Sequence, residues 1–328
     1  MAQHARRIVL FVLFLAVIAG CGDSNSGGSA NGGNGSAPSS ASGNSRGATP
    51  DKLVFGFVPS LEADKIAETA KPMADFISKE TGIPVETITA TNYTGLIQAM
   101  GSGQVDIGAL APFAYVLAHS ENGARVLLKS SRKGALTYHA MFLARADSGI
   151  KSIEEAKGKR MAWVDAASAS GYLFPAAYLK AKGMDPDTFF SNTTFAGSHD
   201  NAIRAVYNGD VDVCSVYDDA RNKVEKLLPD VKQKVVMIGK TDEIPNDTFS
   251  VRKDLDPALA EKIKAALLKY AATPEGKKTL LDTYEIDGLA EAKDEDYEVV
   301  RQTARAMGVD LQSIDKKPAP APAPTAKK

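Results

Sequence analysis

Cysteine is nearly missing from this chain of 328 residues: there are two, Cys21 and Cys214. So few exclude a disulfide framework as the organising device, and they exclude a metal site built on cysteine pairs. Histidine is almost as scarce, with four in all, and His4 stands in the N-terminal segment. No His-Glu-x-x-His and no Gly-rich phosphate loop ending in Gly-Lys-Ser/Thr is present, so no catalytic, cofactor or metal motif is expected. A surplus of charge is missing too. Lys plus Arg number 39 and Asp plus Glu 40, interspersed along the chain, which leaves no basic face for nucleic acid and no acidic block. Long apolar runs are absent but for Ile8–Gly20, which follows Arg6 and Arg7 and is too short to span a bilayer by itself. Residues 1–20 therefore read as a targeting segment.

That segment ends in Ile18-Ala19-Gly20-Cys21, which resembles the lipobox of bacterial lipoproteins. The resemblance implies a protein exported to the extracytoplasmic or periplasmic face, acylated on Cys21 and held on a membrane by lipid. An ordinary secretory peptide with a chance cysteine is the plainer alternative. Export permits disulfides, but acylation of Cys21 leaves Cys214 alone, and none is expected. Residues 21–50 are almost all Ser, Gly, Ala and Asn, a flexible tether. The Pro/Ala/Lys tail, 311–328, is extended and solvated. What lies between is chain enough for two lobes.

Asp165-Ala166-Ala167-Ser168-Ala169-Ser170-Gly171 separates an apolar strand, Met161-Ala162-Trp163-Val164, from a helix with Tyr172, Pro175, Ala176 and Leu179 on one face. A strand-to-helix turn of small residues and hydroxyls suits an anion: its amides are unpaired, the helix N-terminus carries partial positive charge, and serine can donate. A plain helix cap by Ser168 or Ser170 is the alternative. Trp163 is expected to pack behind the turn, and Cys214 to be an inert buried thiol.

Strand and helix signals alternate through the body, which predicts α/β lobes. Leu53–Val58 and Val85–Thr89 read as strands, with a helical region between them broken at Pro72 and closed by Gly82. Thr137–Ala144 reads as a strand crossing between lobes, and Val235–Ile238 with Thr248–Val251 as the return. The expected division is lobe 1 at 51–140 and 246–310 and lobe 2 at 141–245. The helices 257–272 and 296–307 are expected to pack on lobe 1.

One pattern recurs. Asn92-Tyr93-Thr94-Gly95-Leu96-Ile97-Gln98-Ala99-Met100 leads to Gly103-Gln104-Val105-Asp106-Ile107. Ser198-His199-Asp200-Asn201-Ala202-Ile203-Arg204-Ala205-Val206 leads at the same spacing to Gly209-Asp210-Val211-Asp212-Val213. Each copy reads as helix, glycine cap and buried strand. Ligands of open α/β sheets bind beyond the carboxyl ends of strands, at helix N-termini. Tyr93 and His199 are thus expected to face one another across a cleft. Asp106 and Asp212 are expected to fix the starts of their strands.

The lipobox, the strand ending at Pro59, Tyr93 opening a helix, Ser168-Ala169-Ser170-Gly171-Tyr172, Gly197-Ser198-His199-Asp200 and a Pro245-x-Asp247 turn, in this order, resemble the phosphonate-, phosphite- and phosphate-binding proteins of ABC importers. The resemblance implies an α/β, two-lobed periplasmic-binding-protein fold of type II. It also implies a monomer that closes on a small phosphorus oxyanion and delivers it to permease subunits in the membrane. Carried over by position, the oxyanion is held by Tyr93, Ser168, the Ala169 amide, Ser170 and His199. Asp219, and less so its neighbour Asp218, joins Asp247 beside the ligand's variable group. Ala169 stands where the family often has threonine, and Leu110 near a position where some members have tyrosine. An ionised Asp247 only accepts hydrogen bonds, so it demands a proton or a cation on the ligand and rejects sulfate. A tethered sensor or adhesion module, or an enzyme using Ser170 and His199, are the alternatives, the enzyme lacking a visible third group to orient its base.

Overall fold

A computed structural model describes residues 48–311, apart from the side chains of 63–65, 68, 69, 283 and 284. The targeting segment, Cys21, the tether and all but the first residue of the expected tail, 312–328, lie outside the described residues.

The chain opens with β1 (Leu53–Phe57), α1 (Ala63–Thr81), β2 (Val85–Thr89), α2 (Tyr93–Gly101), β3 (Ile107–Leu110), α3 (Pro112–Asn122) and β4 (Arg125–Ser131). After a crossover it continues through β5 (Thr137–Arg145), β6 (Arg160–Trp163), α4 (Phe174–Ala181), α5 (Pro186–Phe189), β7 (Asn192–Phe195), α6 (His199–Asn208), β8 (Val213–Tyr217), α7 (Val231–Lys234) and β9 (Val235–Pro245). It then returns for β10 (Thr248–Val251), α8 (Pro257–Ala272), α9 (Pro274–Tyr284), β11 (Gly288–Glu291) and α10 (Glu298–Ala306).

Two mixed sheets result, ordered β11-β4-β10-β3-β1-β2 and β7-β6-β8-β5-β9. Each holds a parallel trio, β2-β1-β3 or β7-β6-β8, closed by an antiparallel strand, β10 or β5. The trios are the structural form of the sequence repeat, and Asp106 and Asp212 do the same work in each. Asp106 Oδ2 accepts the Val54 amide at 2.8 Å and its Oδ1 the Arg252 Nε at 2.9 Å. Asp212 Oδ2 accepts the Arg160 amide at 2.8 Å and its carboxylate also takes that residue's guanidinium. Each therefore pins the start of the neighbouring parallel strand.

The helix expected to break at Pro72 runs through it without interruption, and Gly82 ends it at φ 76°. Ile66, Ala70, Met73 and Ile77 recur at helical spacing and are buried on this face, against a core that includes Leu53, Phe55 and Phe249. Burial on that scale, roughly 1.5–3 kcal/mol for each large apolar side chain, outweighs the ~3 kcal/mol that an interior proline costs.

The first crossover occupies 132–136, so β5 lies wholly in the second sheet. It is a type I′ turn: Arg132 and Ala135 exchange both backbone hydrogen bonds at 3.0 Å, and Lys133 and Gly134 take φ of 52° and 73°. The return strand lies beside it, the Asn246 amide donating to Leu136 O at 3.1 Å and its side chain to Ala135 O at 2.9 Å. Helix α8 packs on the first lobe as expected, against α1. Helix α10 does not keep to that lobe. It packs on α3 of the first and on α4 and β9 of the second, and Lys180 of α4 donates to the Ala306 carbonyl at its end at 3.1 Å.

Candidate functional site

Four strand-to-helix junctions meet in the cleft between the sheets, two from each trio. From the first come the β1–α1 turn with Ser60 and the start of α2 with Tyr93. From the second come the β6–α4 turn with Ser168 and Ser170 and the start of α6 with His199. Together with Val58, Leu110, Ala111, Phe249 and Ile286 they line one pocket, which Arg132, Tyr138, Tyr217, Asp247 and Thr248 complete. Each junction turns the positive end of a helix dipole toward the pocket, which favours an anion.

The serine turn is wound more tightly than a plain cap. Ser168 Oγ accepts the Gly171 amide at 3.0 Å, and Ala169–Leu173 form a single π-helical turn before α4 begins. Such turns widen a helix locally and recur at functional sites. Gly171 permits it, because a Cβ there would stand 2.3 Å from the Cβ of Val164. Ser168 and Ser170 are both buried, and both line the pocket. The Ser170 carbonyl accepts from Ser215 Oγ at 2.9 Å. Ala169 is fully buried with its methyl in the core, so only its backbone can serve a ligand. Trp163 packs behind the turn, edge-on to Tyr172 at 5.5 Å, as the sequence suggests. Cys214 is buried and free, and burial pushes its thiol well above the usual range.

Tyr93 and His199 do both reach the pocket, from opposite trios. His199 Nδ1 accepts the Tyr217 amide at 3.4 Å, and the Tyr217 ring lies edge-on to the imidazole at 4.7 Å. Burial, aided by the charge of Arg132, lowers the His199 pKa to about 3. The ring is therefore neutral, and with Nδ1 occupied as an acceptor the proton resides on Nε2 as a donor.

The two halves also touch directly. The His199 amide donates to Ser60 O at 3.1 Å, and the Tyr93 amide to Asp165 Oδ2 at 3.4 Å. At the rim, Arg204 of α6 pairs with Glu62 before α1. Asp165 opens the serine turn, where it also accepts the Ala167 amide at 2.8 Å, and burial raises its pKa.

Asp247 lines the pocket but is not the unpaired acceptor that its sequence context suggests. Arg132 Nη2 donates to its Oδ2 at 2.5 Å. Burial raises the Asp247 pKa while Arg132 pulls it down. Asp219 is not among the lining residues: it sits at φ 64° with its carboxylate on Lys133. Asp218 Oδ1 accepts the His139 amide at 3.5 Å. Sequence reasoning missed Arg132 and Asp165. The one available signal for Arg132 was its place before Lys133-Gly134, a turn-like pair between two strand patterns.

A two-lobed α/β body whose crossovers run side by side and whose helix N-termini converge on the cleft is a periplasmic binding protein of type II. The model of the family described as "ABC transporter, phosphonate, periplasmic substrate-binding protein" matches residues 55–297, and the chain belongs to that family. It is 28% identical over 279 residues to the phosphate-import protein PhnD of Mycolicibacterium smegmatis, covering 79% of this chain and 87% of that one. It is 28% identical over 233 residues to the phosphonates-binding periplasmic protein of Escherichia coli, covering 70% and 69%. Among solved structures, a binding-protein component of an ABC phosphonate transporter from Pseudomonas aeruginosa superposes with a TM-score of 0.72 at 27% identity, over 77% of this chain and 85% of that one. PhnD1 of Prochlorococcus marinus, solved with methylphosphonate, shares the fold with a TM-score of 0.71 at 19% identity, over 79% and 99%. This chain is thus the extracytoplasmic substrate-binding component of an ABC importer of the phosphonate family, which is a transport class.

Proposed function

We propose that the protein captures a small phosphorus oxyanion head in the cleft between its lobes, as a monomer tethered by lipid on Cys21, and hands it to the membrane permease without chemically altering it. The observation that carries this reading is the neutral His199. It lines the same pocket as the serine turn, from the opposite trio, so donors of both lobes share one pocket. Tyr93, Ser168, Ser170 and His199 donate from side chains and Ala169 from its backbone, with helix N-termini behind them. Asp247 stands beside the ligand's variable group. Triad chemistry finds no support at the pair Ser170 and His199, because the imidazole's second nitrogen accepts a backbone amide and is not oriented by a carboxylate.

Titration calorimetry of the delipidated protein with phosphate, phosphite, methylphosphonate and 2-aminoethylphosphonate tests the reading. Tight one-to-one binding of at least one of them is expected. Binding of none refutes the assignment. Intact-mass spectra of the membrane-bound form test the anchor, an unmodified N-terminus refuting it.

A further inference from the structure

The donors to an oxyanion head cluster at the serine turn and the two rings. The rest of the pocket is built around Arg132, which stands in the first crossover with its side chain largely buried. Its Nη2 is on Asp247, and its guanidinium carbon lies 5.1 Å from the Tyr217 ring centroid and 5.4 Å from that of Tyr138. A planar cation set against two aromatic rings and tied to a carboxylate has little freedom to turn away. Its Nε is buried and has no hydrogen-bond partner among the described residues. Both members of the pair are fixed from behind: the Ser130 amide donates to the Asp247 carbonyl at 2.9 Å, and Arg132 belongs to the doubly bonded turn.

The charge inventory of the lining is short. Among the described residues, Asp247 is the one carboxylate of the lining and Arg132 the one permanent cation. Glu285 acts on Arg132 only through space, from outside the lining. A ligand bearing an ammonium would need Asp247 as its counter-charge. It would have to displace Arg132, leaving a buried guanidinium unpaired and facing a second cation, which is a strongly unfavourable exchange. A ligand with a bare oxygen, a hydrogen or a methyl group on phosphorus leaves the pair intact.

We infer that Arg132 determines specificity in this cleft. By occupying Asp247 it excludes aminoalkylphosphonates and admits phosphorus oxyanions whose fourth substituent is uncharged or an oxygen, and its Nε–H is free to donate to one of their oxygens. The inference rests on the phosphorus-oxyanion reading above.

The test is calorimetry with methylphosphonate and 2-aminoethylphosphonate on the wild type, Arg132→Gln and Arg132→Lys, with thermal unfolding of each as a folding control. The wild type is expected to prefer methylphosphonate by at least about thirtyfold, the scale on which a buried, charge-paired contact discriminates. Arg132→Gln is expected to lose about ten- to a hundredfold in methylphosphonate affinity, the reach of a charge-assisted hydrogen bond. It should also gain affinity for the amine as Asp247 is released. Arg132→Lys, which keeps the charge but not the planar fork, should still reject the amine. Equal wild-type affinities for both compounds overturn the inference and leave the oxyanion reading standing, and this outcome needs no variant to fold. A wild type that binds neither these nor phosphate nor phosphite overturns both.

Discussion

The backbone amide of Tyr217 donates to Nδ1 of His199 at 3.4 Å, and that one bond decides what the imidazole can offer a ligand. With Nδ1 an acceptor and the pKa lowered to about 3, His199 is a fixed, uncharged donor across the physiological range. The unfolded chain takes up a proton at this position as pH falls through about 6.5, while the native ring stays neutral until about 3. Stability attributable to this site is therefore fully present above pH 6.5 and is lost as pH falls toward 3, at up to ~1.4 kcal/mol per pH unit. Denaturant titrations of the ligand-free protein at pH 7 and pH 5 should show this loss in the wild type and a smaller one in His199→Gln. Equal losses would mean the ring titrates normally.

The two serines of the π turn differ in what they hold. Ser170→Ala removes a buried hydroxyl from the pocket lining. Affinity for the phosphorus ligand should drop about ten- to a hundredfold with little change in apo melting. His199→Ala should weaken binding at least as much, because it removes the second trio's half of the clamp. Ser168 Oγ caps the Gly171 amide, so Ser168→Ala should also cost roughly 1 kcal/mol of apo stability. Calorimetry and denaturant melts on each variant separate the two effects.

Gly171→Ala places a Cβ 2.3 Å from that of Val164 and 2.8 Å from Ser168 Oγ. Relief of that clash has to move the turn, at a cost of about 1–3 kcal/mol, and ligand affinity should fall with stability. Val164→Gly in the same chain removes the Cβ that this methyl meets and should restore part of the affinity. Were the double variant no better than Gly171→Ala alone, steric crowding would not be the cause.

Asp247→Asn removes the counter-charge of Arg132 and leaves the guanidinium in the cleft. Breaking such a pair costs about 3–5 kcal/mol of apo stability where it is fully buried, and this one, only partly sealed from water, should lose less. The released positive charge should admit anions in general. Sulfate should then compete more strongly in displacement calorimetry than it does with the wild type. Tight sulfate binding by the wild type, or an Asn variant with unchanged selectivity, would remove Asp247 from any role in selection.

The paired trios were legible because each rests on a short-range signal. The Tyr93 and His199 helices share a Gly–x–Val–Asp ending, and the serine turn lies between an apolar strand and an amphipathic helix. The roles of Asp106 and Asp212 followed from that repetition. Arg132 was illegible for a physical reason: it meets Asp247 across 115 residues, and only the return of the chain beside its own crossover brings them together. Asp165 reaches the Tyr93 amide over 72 residues by the same kind of convergence. Pro72 misled because a local rule about helix interiors carries no knowledge of the apolar face that holds α1 on its sheet. Helix α10 misled because amphipathic periodicity says that a face is buried, not that two lobes share it.

That shared helix has a mechanical consequence. The crossovers alone would form a nearly free pivot, since a pair of extended segments resists bending weakly. Helix α10 spans the pivot, gripped by α3 on one side and α4 on the other, while Tyr297 just before it donates to the Asn246 carbonyl at 3.0 Å in the return segment itself. Parting the lobes must shear those contacts, so the joint behaves as a leaf spring with a rest angle and a stiffness. A ligand that closes such a joint has less lobe motion left to freeze than one closing a slack hinge, and a greater share of each donor's attraction is left to appear as affinity.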